Sequence, residues 1–268
     1  MHRPGQMACC NRTARQVMSG ILPAAIEPWF AAIIIAASFA TSAISATFGL
    51  GGGVLLIAVM GLGMPLPALV PVHGAVQLGS NAGRALLQWR HATGWLLLWF
   101  GAGSVIGTLV AGRLTLELPE TVWRLGLGLF ILIVSWSPKP HFGRTARPIV
   151  FLNGILGAVF TMFFGATGPL VMTINAPHAG SRHGIVATHA IAMTLQHSLK
   201  IMMFGFLGFA FAPWLPLIAM MILSGYLGTM LGTRWLDSLP EARFRIALKG
   251  VLTVLALGLI LQAAGAPE

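Results

Sequence analysis

Six polar side chains fall on one face of an otherwise apolar run in this 268-residue sequence: His73, Gln77, Ser80, Asn81, Arg84 and Gln88. They sit at i, i+4, i+7, i+8, i+11 and i+15, which at helical pitch is a single stripe. A second apolar run repeats the device with His189, Gln196, His197 and Lys200. Lys200 is followed by the largely apolar stretch 201–212, so it is not a helix-end residue free to reach an interface. A Lys or Arg at the middle of a membrane span costs about 2.5–3.5 kcal/mol on insertion scales. A residue kept against that cost faces a water-filled path or a bound ion, and these two stripes are the first place to look for chemistry.

Backbone supplies the second candidate. The string Phe48-Gly49-Leu50-Gly51-Gly52-Gly53 interrupts a helix, exposes N–H groups, and lets a new helix start at Val54 with its positive end toward the break. The counterpart Phe164-Gly165-Ala166-Thr167-Gly168-Pro169 keeps the break and adds the Thr167 hydroxyl. Such breaks suit an anion. The carboxylates point the same way. All six (Glu27, Glu117, Glu120, Asp237, Glu241 and Glu268) lie outside the apolar runs or at their ends, so no acidic relay for cations or protons is available. Only His73, His189 and His197 could titrate at depth. The interior is therefore neutral or electropositive, which selects for anions. No metal-ligand spacing occurs, no cofactor is called for, and the adjacent Cys9 and Cys10 have poor geometry for a structural bridge.

These residues need a membrane to hold them. Apolar residues make up 56% of the chain and charged residues 8%, far below the quarter or so of a soluble domain, and mean hydropathy is +0.84. A soluble enzyme is excluded. The net charge of +10 does not call for nucleic acid, because the basic residues sit singly in short loops between apolar runs. Ten such runs are expected: 29–48, 54–63, 68–89, 94–112, 120–137, 148–164, 169–177, 185–211, 214–233 and 244–263, two of them (54–63 and 169–177) too short to span alone.

Fixed offsets divide the ten into two repeats. At +121, Gly107-Thr108 meets Gly228-Thr229, Arg113 meets Arg234, Leu118-Pro119-Glu120 meets Leu239-Pro240-Glu241, and Arg124 meets Arg245. At +116, Phe48-Gly49 meets Phe164-Gly165, Gly52 meets Gly168, His73 meets His189, and Arg84 meets Lys200. The expected fold is an all-α polytopic membrane protein of two repeats, each of four to five segments with a Gly-broken helix. Five segments per half is odd, so the second half is expected inverted. Alternation of ten segments puts nine basic residues on one side and five on the other, favouring the first as cytoplasmic. If the two short segments do not cross, the tally is seven against seven and the halves run parallel. The boundaries read as a tail (1–28), first repeat (29–137), basic linker (138–147), second repeat (148–263) and a short tail (264–268). No cleaved signal peptide is read at the N-terminus. Gly103, Gly107 and Ala111, with mates Ser224, Gly228 and Gly232, form small-residue ladders expected to pack helices within the chain. Glu120–Arg124 and Glu241–Arg245 are expected to cap helix starts at the membrane surface.

The duplicated pattern resembles the sulfite exporter TauE/SafE family, also called toluene-sulfonate uptake permeases. The resemblance rests on Phe48-Gly-Leu-Gly-Gly-Gly53, the polar third run, and Trp89-Arg90-His91-Ala-Thr-Gly94-Trp95 leading into Gly103-x-x-x-Gly107, and covers about residues 29–263. The chain departs from the family pattern at Ile57-Ala58, where a proline often stands, and in the thinner second glycine cluster. The resemblance implies a multi-pass permease of the bacterial inner (plasma) membrane for small organosulfur or carboxylate anions.

The expected function is transport of small anions such as sulfite or sulfonates, with a small anion and the lipid bilayer as partners and a homo-oligomer possible. Arg84 and Lys200 would supply charge. Gly49, Gly51, Gly52, Gly53, Thr167 and Gly168 would supply backbone or hydroxyl donors. Gln77, Ser80, Asn81, Gln196 and His197, with His73 and His189, would line the path. Two alternatives stand beside it: a non-transporting membrane scaffold or chaperone subunit, and an intramembrane hydrolase. Asp237 is the only Asp, so an Asp pair is impossible, and no strained Gly-x-Ser-x-Gly turn supports a serine nucleophile.

Overall fold

The computed structural model describes residues 22–48, 51–114, 119–137, 147–236 and 241–265. The expected N-terminal tail, the linker and the C-terminal tail fall largely outside these residues, as do Cys9, Cys10 and Gly49. Ten α-helices are present among the described residues: α1 (Pro28–Phe48), α2 (Gly52–Gly61), α3 (Leu66–Gln88), α4 (Gly94–Leu114), α5 (Glu120–Trp136), α6 (Arg147–Phe164), α7 (Gly168–Asn175), α8 (Arg182–Phe206), α9 (Leu215–Leu236) and α10 (Glu241–Gly265). Their chemistry is inside-out relative to a soluble protein. Leu98, Leu109, Ile133, Leu223, Val254 and Leu261 are exposed on α4, α5, α9 and α10, whereas Lys200, Gln196, His73 and His197 are buried. Five helical stretches are long and apolar enough to cross a membrane: Pro28–Ala46, Gly94–Leu114, Arg147–Phe164, Ala212–Leu231 and Ile246–Gly265. This is a multi-pass helical membrane protein.

The polar helices α3 and α8 pair at the centre, and α1 on α9, α4 on α6 and α5 on α10 flank them. Small residues set the closest approaches. A Cβ on Gly103 would collide with the Phe151 carbonyl, on Gly107 with that of Ile155, on Gly154 with that of Phe100, and on Gly228 with that of Phe39. Hydroxyls seal the same seams: Ser224 donates to the Ile35 carbonyl (2.7 Å) and Ser38 to that of Met221 (2.7 Å). The ladders thus join helices of one chain, because without a hydrophobic drive between helices in lipid the attraction comes from backbone contact.

Contacts at helix ends fix which ends lie together. The turn between α3 and α4 meets the start of α8: the His91 and His183 rings lie 5.5 Å apart, and Thr93 N–H donates to Thr188 Oγ1 at 3.0 Å. Near the end of α2, the Gly61 carbonyl accepts from Arg124 Nη1 (3.1 Å). Arg124, near the start of α5, also donates to Gln262 (2.7 Å) at the end of α10 and pairs with Glu120 at 2.7 Å. That pair is the expected i,i+4 pair at a helix start; the corresponding Glu241 and Arg245 side chains are not among those described.

Helix α8 differs from its apolar run at both ends. It starts at Arg182 because Ser181 caps it, accepting from Gly184 N–H at 3.0 Å. It stops at Phe206 although the run continues to 211, because Gly208 takes φ +87° and Phe209 N–H closes back on the Phe204 carbonyl at 2.9 Å.

Candidate functional site

Helix α2 runs back along α1, since Gly52 packs on Thr41 and Ser45 while Gly63 reaches Phe30 near the start of α1. Ten residues of helix rise about 15 Å, half a bilayer core, so the break that precedes α2 lies at depth. The second break, between α6 and α7, faces the first across a small cavity. About 40 Å³ there is open to the centre of a water-sized sphere, room for roughly three such centres.

Both breaks end in a bare helix start. Gly51 precedes α2 with φ +96° and, having no side chain, leaves its N–H groups uncapped. Thr167 precedes α7 without capping it: its hydroxyl contacts Gln196 Oε1 (3.4 Å) instead. Two helix N-termini, each with about half a positive charge, therefore border one cavity, neither capped by the side chain of the residue before it. The α7 break holds its shape through Gly165, at φ +75°, whose carbonyl accepts from Lys200 Nζ (3.0 Å) and from Thr161 Oγ1 (3.2 Å). Gly74 makes room for the lysine, since a Cβ there would sit 2.5 Å from Lys200 Cε.

Among the expected residues, Gly51, Gly53, His73, Gln77, Asn81 and Arg84 line the cavity from the first half. Thr167, Gly168, His189 and His197 line it from the second. Arg84 is partly exposed and bonded only within its own helix, to Asn81 Oδ1 (3.1 Å) and more weakly to Ser80. Its guanidinium faces no carboxylate among the described residues. Four expected residues do not line the cavity. Gly52 packs on α1, and Ser80 serves Arg84. Gln196 is fully buried between Ser104 Oγ (3.3 Å) and Thr167. Lys200 is fully buried on the Gly165 carbonyl. Gly49 lies outside the described residues.

Ser45, Val54, Ala166, Pro169 and Met193 also line the cavity and were not singled out from sequence. Ala166 and Pro169 belong to the second glycine string, and Met193 is four residues after His189 on the same helical face, so spacing held a signal for these three. Val54 reads in the sequence only as a helix start, and Ser45 carries no signal: it comes to the cavity through the fold of α2 on α1.

The histidines give the site its acceptors. His73 Nε2 lies 3.0 Å from the Gly53 carbonyl, and the Gln77 amide meets the same nitrogen at 3.3 Å. Nδ1 of His73, of His189 and of His197 is in each case buried without a partner. No group of three His, Cys, Asp or Glu side chains among the described residues is placed to hold a metal ion. Uncapped helix starts and a guanidinium around a space of this size can hold a small oxyanion.

Residues 34–259 match the family model described as sulfite exporter TauE/SafE. No curated protein and no solved structure matches the chain. The chain belongs to the TauE/SafE sulfite exporter family, whose members are membrane transporters and not enzymes.

Proposed function

We propose that this member of the sulfite exporter family is a permease for small oxyanions of the sulfite and sulfonate class, held between the two helix breaks in the bacterial inner membrane. One observation carries the reading: two uncapped helix N-termini and Arg84 border one buried cavity that no described carboxylate lines. A cation would meet the guanidinium and two positive helix ends with no carboxylate to offset them, whereas an oxyanion meets N–H donors and a guanidinium. Lys200 contributes charge from behind the Gly165 carbonyl.

Transport also needs two states, and we read the chain as two inverted repeats that supply them. Packing partners exchange between the halves: α1 on α9 corresponds to α6 on α4, while α3 pairs with α8 and α5 with α10. That pattern supports a two-fold relation between the α1–α5 and α6–α10 halves. Four elements, α4 to α7, separate the α3–α4 turn from the start of α8, and the two are in contact. An even number of traversals returns the chain to the same end, and alternation of all four elements is one way to give it, which supports ten alternating elements and an inverted second half. The side carrying nine of the basic residues is then cytoplasmic.

The test is sulfite flux into proteoliposomes of the purified full chain under an imposed potential. Arg84→Ala removes a charge-assisted contact of about 1.5–3 kcal/mol, so flux at low sulfite falls on the order of ten- to hundredfold with folded protein retained. Undiminished flux in the double variant Arg84→Ala, Lys200→Ala would overturn the reading.

A further inference from the structure

We propose that His73 is a proton-binding site and that each anion crosses together with one proton held on its Nδ1; the inference rests on the permease reading above. The argument begins with the tautomer. A carbonyl can only accept, while an amide can be turned to present either end, so the 3.0 Å contact to the Gly53 carbonyl fixes the ring hydrogen on Nε2. Neutral His73 therefore has a bare lone pair on Nδ1. That atom is buried and has no donor. A deprotonated oxyanion, itself an acceptor, cannot satisfy it. A proton can.

The surroundings make proton and anion depend on one another. From α8, Lys200 and His197 face His73: Lys200 lies against Gly74, the next residue, and the His197 ring centroid is 6.3 Å away. From its own helix come Gln77 and, further along, Arg84, from α2 the Gly53 backbone, and from α8 also His189 at the cavity. None of these carries negative charge. A second positive charge beside Lys200 is repelled when the cavity is empty and welcomed when an oxyanion fills it. The neighbouring backbone offers the new hydrogen only an acceptor that is already occupied. Gly165 adjoins Nδ1, a Cβ there being 3.4 Å from it, but its carbonyl already accepts from Lys200 and Thr161. The remaining acceptor for Nδ1–H is the anion. By linkage, anion binding then raises proton affinity and proton binding raises anion affinity by the same factor. The proton enters from one aqueous phase, occupies the Nδ1 lone pair, and leaves to the other phase with the anion, so no bond other than N–H forms or breaks.

Two measurements decide it. Proteoliposomes holding the full chain and a luminal pH dye are given external sulfite at mildly alkaline pH, with the potential clamped and protein-free vesicles subtracted. Wild type is expected to acidify the lumen by one proton per sulfite taken up. His73→Gln, which keeps a donor for the Gly53 carbonyl, is expected to carry no proton with the sulfite uptake it retains under an imposed potential. Sulfite uptake by wild type without acidification overturns the proposal while leaving the permease reading intact. Unchanged proton stoichiometry in His73→Gln overturns it too, since the proton would then ride on the anion as bisulfite. No sulfite uptake under any gradient defeats the permease reading itself. The second measurement does not depend on transport by the variant. With the eight histidines labelled with nitrogen-15, sulfite is expected to bring one imidazole to the doubly protonated form. If no ring changes state, as when a bound water donates to Nδ1 instead, the proposal fails.

Discussion

Lys200 shows what a residue type reveals and what it withholds. A lysine in mid-run signalled a functional interior, and it is fully buried. Its job in this conformation was not legible. Spacing placed it on the stripe with His197 and Gln196, but it reaches past the cavity to the Gly165 carbonyl, a contact made by the fold of a different helix. The same applies to Gln196, which binds Ser104 and Thr167 and does not line the cavity. Arg84, His73 and Asn81 do line it because their own helix aims them there, which is the relation helical periodicity encodes. Lys200 also yields a separable prediction. Lys200→Met keeps the stem that fills the space over Gly74 and removes the ammonium. The variant is expected to keep its melting temperature in detergent within a few degrees, because a buried charge gives back its desolvation cost when removed. Sulfite flux is expected to drop on the order of tenfold or more, about 1.4 kcal/mol per decade. A melting loss as large as that of a core cavity would instead make Lys200 a structural post.

Among the elements, the glycines divide into those that permit contact and those that merely occur. Sequence located the helix breaks and ladders, because glycine clusters and four-residue spacing are local signals. It did not show which glycines touch another backbone, since that depends on the partner helix. A valine at Gly107 or Gly52 would have to displace the Ile155 carbonyl or the Thr41 carbonyl, respectively. Each is expected to cost about 1–3 kcal/mol, as overpacking does, seen as a lower detergent melting temperature and reduced membrane yield. Gly83, in the same polar helix as the site, has nothing within 4 Å of its would-be Cβ. Gly83→Ala should be neutral, or stabilising by up to about 1 kcal/mol through helix propensity. Equal losses at Gly83 and Gly107 would mean that propensity, not close approach, governs these helices. The boundaries of α8 follow the same logic: apolar residues continue past Phe206, and only the positive φ of Gly208 ends the helix.

At the scale of the whole molecule, the proposed repeat pairs residues that the structure holds in unequal states. Arg84 and Lys200 are 116 positions apart and correspond in that reading, yet one is partly exposed at the cavity and the other fully buried on a carbonyl. In an inverted repeat such inequality is what two access states require: each half adopts in turn the conformation the other now has. The antiparallel centre supports this, because α3 and α8 bring His73 beside Lys200 and leave Arg84 on the stretch toward the opposite end. At the Lys200 end lies a separate, largely apolar groove lined by Val70, Pro71, Phe204 and Phe209. If the halves exchange states, access at the two ends must be reciprocal. Single cysteines placed at Asn81, in the cavity, and at Val70, in the groove, in a background lacking Cys9 and Cys10, are therefore expected to react with an impermeant thiol reagent from opposite faces of the membrane. Reversing an imposed sulfite gradient is expected to raise one rate as it lowers the other. Rates that rise and fall together would indicate a pore opened as a unit, and the inequality of Arg84 and Lys200 would then be a fixed asymmetry of the chain.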